Sequence, residues 1–178
     1  MYVGVTVAYS VEYQEGPCRV EEPPLPSLSV EIPCGGTALQ VMENAVDAPQ
    51  VGRMYRFAAT YFGSSLGYFI NAINSIPPVI EPLTNESCFW YFLIRSPDGT
   101  VLPSSVGVSS FTISRNGYGM IMRYSAQTVF TDHEMNGNGT RIDSTGGVCS
   151  SAISRSAVVN SVFLLGMVLV SISHFLFL

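Results

Sequence analysis

The sequence predicts an α+β domain, a mixed sheet with one covering helix, followed by a polar stalk and an apolar C-terminal tail. Three observations carry this. Short runs of alternating apolar and polar residues recur between turn signals up to about residue 126, which is the pattern of strands. One segment, opened by Thr37, has a helix start signal and helical spacing. Beyond it all, residues 157–178 are apolar almost throughout. The expected boundaries are 1–126 for the domain, 127–152 for the stalk and 153–178 for the tail.

The elements follow in order. Tyr2 to Tyr13 alternates at Val3, Val5, Val7 and Tyr9 and predicts a first strand. It has no basic residues before it and contains Gly and Thr, so it is not a signal peptide. A secreted chain that begins directly on a strand points to further sequence upstream. Pro23-Pro24-Leu25-Pro26 is an extended connector, and Leu28 to Ile32 alternates again as a second strand. Cys34-Gly35-Gly36 turns the chain into Thr37-Ala38-Leu39-Gln40, which has the form of a capping box. Leu39, Met42, Ala45 and Val46 share one helical face, and the helix should end near Asp47 because Pro49 disfavours helical geometry at Ala48.

Tyr55 to Tyr61 predicts a third strand, and Gly63-Ser64-Ser65 turns it into Tyr68 to Ile73. Cys88-Phe89-Trp90-Tyr91-Phe92-Leu93 is too short for a helix and suits a buried strand; it holds the single tryptophan. Ser96-Pro97-Asp98-Gly99 ends it. Val106 to Ile113 and Gly119 to Tyr124 complete the sheet, with Arg115-Asn116-Gly117 between them as a turn. From Thr131 to Gly147 the chain is polar, rich in Gly, Asn, Ser and Thr, and without periodicity, as a stalk would be.

Composition bounds the function. The chain of 178 residues carries a net charge of −5, with no lysine and eight scattered arginines, so no basic stripe exists to track nucleic acid. Four cysteines, Cys18, Cys34, Cys88 and Cys149, form neither a CxxC pair nor a cluster with histidine, which excludes a zinc motif. Their even number and two sequons, at Asn85 and Asn138, point to the secretory pathway and to disulfides. Cys18 with Cys34 is the local pairing and leaves Cys88 with Cys149; free buried thiols are the alternative. No nucleophile elbow, phosphate loop or carboxylate pair is present, and His133 falls in the polar stalk, so no catalytic residues are assigned and the chain is expected to bind rather than catalyse. The tail is long enough to span a bilayer, but no basic cluster follows it. That favours a glycolipid-anchor signal with attachment at Ser150, in the small-residue run Ser150-Ser151-Ala152, over a membrane span. Either way the chain belongs at the outer face of the plasma membrane, or is secreted.

Five segments recur in an order and spacing seen elsewhere: Val30-Glu31-Ile32-Pro33-Cys34-Gly35-Gly36-Thr37-Ala38-Leu39-Gln40-Val41-Met42, Tyr55-Arg56-Phe57, Gly67-Tyr68-Phe69-Ile70-Asn71-Ala72-Ile73-Asn74, Phe89-Trp90-Tyr91-Phe92-Leu93 and Val106-Gly107-Val108-Ser109-Ser110-Phe111. Together, over residues 2–126, they resemble the C-terminal β domain of the transcobalamin, gastric intrinsic factor and haptocorrin family of cobalamin carriers. The resemblance implies a β-grasp-like sheet with one helix that lies over one face of a corrin, while a separate helical α domain holds the other. It implies cobalamin as bound ligand, with contacts from Leu66, Gly67, Tyr68, Phe69, Ile70 and Asn71 and from Trp90, Tyr91, Phe92 and Leu93. Tyr91 stands where the family commonly has Gln. Apolar side chains against the ring and backbone groups for its amides suit such a ligand. The helical domain is not in this sequence, so it would come from upstream sequence or a second chain, and a surface receptor is a further possible partner. The alternative reading is a stand-alone membrane-anchored module of the same fold that contacts a protein or another small ligand.

Overall fold

The computed structural model describes residues 4–14, 18, 20–64, 67–80, 87–126 and 144–147. The elements in chain order are strand β1 (Gly4–Tyr13), β2 (Leu28–Pro33), β3 (Gly36–Thr37), helix α1 (Ala38–Val46), a 3-10 turn (Gly52–Tyr55), and strands β4 (Phe57–Tyr61), β5 (Tyr68–Ile73), β6 (Cys88–Arg95), β7 (Val101–Pro103), β8 (Thr112–Ile113) and β9 (Gly119–Ala126). The main sheet runs β2-β1-β9-β6-β7, and β3 with β8 and β4 with β5 form two small ribbons. β1 and β9 are parallel; the other pairs of the main sheet are antiparallel. This is the α+β mixed sheet with one covering helix that the sequence predicts.

Alternation decides which face is which. Val5, Val7, Tyr9 and Val11 point inward from β1 and are buried, and the register aligns them with Ile32 and Val30 of β2 and with Met120 and Met122 of β9, while Tyr124, opposite Tyr13, continues the same face. Cys88, Trp90 and Ile94 continue that inner face on β6. Helix α1 covers the β2–β1 half with Ala38, Val41, Met42 and Ala45. Leu39 and Val46, expected on the core face, pack only at its margin, and Val41 takes the central place instead.

The capping box forms as expected: Gln40 N donates to Thr37 Oγ1 (3.3 Å) and Thr37 N donates to Gln40 Oε1 (2.9 Å). It leaves the Ala38 and Leu39 N–H groups without intrahelical acceptors. They donate to the carbonyls of Phe111 (3.0 Å) and Val108 (2.8 Å). This corrects the strand expected over Val106 to Ile113, of which only Thr112–Ile113 pairs as strand. Residues 106–111 curl into a turn, with Ser110 N and Phe111 N both donating to Gly107 O, and bury Val108 and Phe111 at the helix start. Tyr55 likewise ends the 3-10 turn, its ring buried against Tyr9, and the third strand begins at Phe57.

The disulfide expectation is also corrected. Cys18 is bonded to Cys88, not to Cys34. The topology explains it. In the antiparallel pair β1–β2, Gly4 faces Pro33, so Cys34 lies at the beginning of β1, whereas Cys18 follows its end. β9 runs parallel to β1 and β6 antiparallel to β9, which brings Cys88 to that same end. Cys34 is disulfide-bonded as well; Cys149 lies outside the described residues. Part of the expected stalk returns to the domain. Ser144 bridges Thr112, Thr145 is buried, and Thr145 Oγ1 accepts from Ser114 N at 2.9 Å.

Candidate functional site

The residues assigned to ligand contact fall into two regions of opposite character. The first is the β4–β5 hairpin. Its strands pair from Phe57 with Ile73 out to Tyr61 with Tyr68, with a bulge that leaves Asn71 as the extra residue. At the base, Ile70 and Ile73 join the core. Farther out the aromatic side chains are in the open: Tyr61 and Phe62 are each 56% exposed, and Tyr68 and Phe69 are exposed too. They pair across the hairpin, Tyr61 with Tyr68 (ring centroids 5.0 Å) and Phe62 with Phe69 (6.3 Å), so each is held by a neighbour without being covered. Asn71 Nδ2 donates to Thr60 Oγ1 at 2.6 Å across the strands.

The tip is braced from outside the hairpin. Gly67 sits at φ +70, where a side chain is strained, and a Cβ there would lie 2.3 Å from Ser109 Oγ. Tyr68 N donates to that hydroxyl at 3.3 Å. The close approach that glycine permits is therefore to Ser109, in the turn that also caps α1. Leu66 lies outside the described residues.

The second region is the Trp90 strand. Successive residues of a strand face opposite ways, so the four assigned here do not share a surface. Trp90 and Phe92 point inward; Tyr91 and Leu93 point to the other face, where Leu93 is fully buried. Trp90 is 6% exposed, lies against Tyr13 and Tyr124 (6.0 and 5.0 Å), and donates from Nε1 to Ile76 O at 3.0 Å. Phe92 meets Phe111 edge-on at 5.3 Å. Tyr124 OH donates to Pro77 O at 2.9 Å, and Val79 and Cys88 exchange backbone hydrogen bonds. Residues 76–79 are thus pinned over the tryptophan. Burial raises the hydroxyl pKa of Tyr91 and Tyr124 from the ordinary value.

The sequence points only to the hairpin's second strand; the structure also leaves Tyr61 and Phe62 exposed across from it, and elsewhere Val79 and Ile80, the latter 69% exposed. The available signal was the Gly63-Ser64-Ser65 turn, which sets Tyr61 and Phe62 beside Tyr68 and Phe69. Among the described residues no group of three or more His, Cys, Asp or Glu could hold a metal, and no helix is long and apolar enough to cross a membrane. Asn85, Asn138, Ser150 and the tail from 153 to 178 lie outside the described residues.

No protein-family model and no curated protein matches the chain. Among solved structures the chain is similar to haptocorrin in complex with Cbi, cobinamide, at 25% identity and a TM-score of 0.52. The likeness covers 71% of this chain and 26% of that one, so the chain matches about a quarter of haptocorrin's length. It supports a transcobalamin-like fold for the domain.

Proposed function

We propose that this chain is a corrinoid-binding β domain, displayed outside the cell, that covers one face of its ligand. The observation that carries the reading is the structural likeness to haptocorrin, whose structure holds cobinamide. Within the chain, the hairpin supports it best. On one face of the ribbon Phe69, with Phe62 against it, offers aromatic surface to a flat, apolar ring, and Thr60 and Asn71 offer polar groups beside it, while Tyr61 and Tyr68 pair on the opposite face. Trp90 enters as the base that holds residues 76–79, not as a contact surface. The disulfide between Cys18 and Cys88 supports an oxidising compartment. A helical domain covering the other corrin face, anchorage through the tail near Ser150 and glycans at Asn85 and Asn138 complete this reading.

Calorimetric titration of the full chain in detergent micelles with cyanocobalamin tests it. One face of a two-faced site gives up contacts without giving back the entropy of capture, so affinity of about micromolar is expected. The double variant Tyr68→Ser/Phe69→Ser should weaken it at least tenfold. Absence of saturable heat up to about millimolar ligand, for a chain shown to be folded, sinks autonomous corrinoid binding. The exposed apolar side chains of the hairpin then favour the second reading, a protein-contact module.

A further inference from the structure

The other face of the sheet carries a groove that the corrinoid reading does not use. It has a volume of about 390 Å³ and is lined by Thr6, Ala8, Ser29, Arg95, Tyr118 and Gly119, with the 116–117 turn at one end. Strand register makes it. Ser29, Ala8, Gly119 and Arg95 stand in one row across β2, β1, β9 and β6, all on the outer face. The two central strands therefore contribute the two smallest side chains, and the floor sinks between Ser29 on one side and Arg95 on the other. The end wall is fixed. Asn116 Oδ1 accepts from Thr6 N at 2.8 Å, and Gly117 holds the left-handed backbone, at φ +87, that this turn requires.

The chemistry of the lining is one-sided. Arg95 is its sole charged residue, and Thr6, Ser29 and Tyr118 are the hydroxyl-bearing residues of the lining. Arg95 gives one terminal nitrogen to Glu12 Oε1 at 3.2 Å, and Glu12 is shared with Arg123 at 3.1 Å. That exposed pair is weak and solvent-screened, so it orients the guanidinium while leaving donors for a ligand. An arginine fork matches a carboxylate, hydroxyls match a polyol, and the Tyr118 ring matches the C–H face of a pyranose. The volume lies at the small end of ligand pockets, enough for one such unit.

We propose that this groove binds a carboxylated sugar residue, with Arg95 on the carboxylate and Tyr118 against the ring. It faces away from the hairpin and stands or falls independently of corrinoid binding.

The test is a nitrogen-edited NMR titration of the full chain in detergent micelles with methyl β-glucuronide and methyl α-sialoside, against methyl β-glucoside and acetate. Saturable shifts at the Ala8, Tyr118 and Gly119 amides are expected with at least one acidic sugar, at about millimolar affinity. Arg95→Gln should weaken binding at least tenfold, and Ala8→Val, which fills the floor with a strand-compatible side chain, should abolish it while the melting temperature is kept. Equal binding of the neutral glucoside, shifts reproduced by acetate alone, undiminished binding to Ala8→Val, or no shift up to about 50 mM would each overturn the proposal.

Discussion

Two stretches of this chain look alike in composition and do opposite things. Phe89-Trp90-Tyr91-Phe92 and the pair Tyr61-Phe62 with Tyr68-Phe69 are both dense in aromatic residues. The first lies in a strand with neighbours on both edges, beside a disulfide and beneath residues 76–79. The second lies at the end of a two-stranded ribbon that outruns the core. Aromatic surface in the sheet is used up in stabilising the fold. Aromatic surface at the hairpin tip is left over, and leftover surface of this kind is what a ligand can use.

The largest effect should come from the bond that ties the sheet side of this comparison. Cys18 and Cys88 are 70 residues apart, and closing a loop of that length restricts the unfolded chain by about 4 kcal/mol. Cys18→Ala/Cys88→Ala should lower unfolding free energy by an amount of that order in urea titrations. An unchanged midpoint would mean that the Trp90 region does not depend on the bond. Next comes Trp90→Phe, which shrinks a buried ring and leaves Ile76 O without its donor. A loss of about 2 kcal/mol is expected, with residues 76–79 gaining faster amide exchange.

What the sequence showed and hid follows the range of each interaction. The capping box at Thr37 and Gln40 was legible because its partners are three residues apart. The β1 alternation was legible because the pleat imposes it locally. The Cys18–Cys88 bond was not, since it depends on β9 inserting parallel between β1 and β6. Val106 to Phe111 had strand composition, yet its carbonyls are claimed by the N–H groups of a helix about 70 residues earlier. The exposure of Tyr61 and Phe62 was hidden for a different reason: apolar residues are read as core unless the ribbon's reach beyond the core is known.

A third, smaller effect separates neutral from alkaline solution. Tyr9 is fully buried among the inner-face residues, and among the described residues its hydroxyl has no hydrogen-bond partner. Burial, then the neighbouring Tyr55 and Tyr13, push its pKa far above the ordinary value near 10. The folded state therefore keeps a proton that the unfolded chain releases. This contribution is intact below pH about 10 and is lost as pH rises beyond it, at about 1.4 kcal/mol per pH unit. Tyr9→Phe should change stability by less than about 1 kcal/mol at pH 7, since it deletes an unpaired group. It should also flatten the alkaline decline, leaving the part due to Tyr13, Tyr55, Tyr91 and Tyr124, whose pKa values burial also raises. An unaltered slope between pH 10 and 11 would show that Tyr9 is reached by solvent.

The smallest stability effect should fall on the hairpin, and there the comparison is sharpest. Phe69 is 42% exposed, and its ring meets Phe62 with solvent on the remaining sides. Phe69→Ser removes that edge contact and little else, so the unfolding free energy should move by no more than about 0.5–1 kcal/mol. Thr60 and Asn71 keep their hydrogen bond and hold the strands in register. If the exposed rings are the ligand surface, cyanocobalamin affinity should nevertheless fall at least tenfold. Trp90→Phe should do the reverse, with a clear loss of stability and an affinity that follows only the fraction folded. Equal losses of stability and affinity in both variants would mean that the two aromatic clusters form one cooperative unit, and the division between a supporting strand and a binding hairpin would fail. A drop in affinity confined to Phe69→Ser would place recognition on the surface that the fold leaves uncovered.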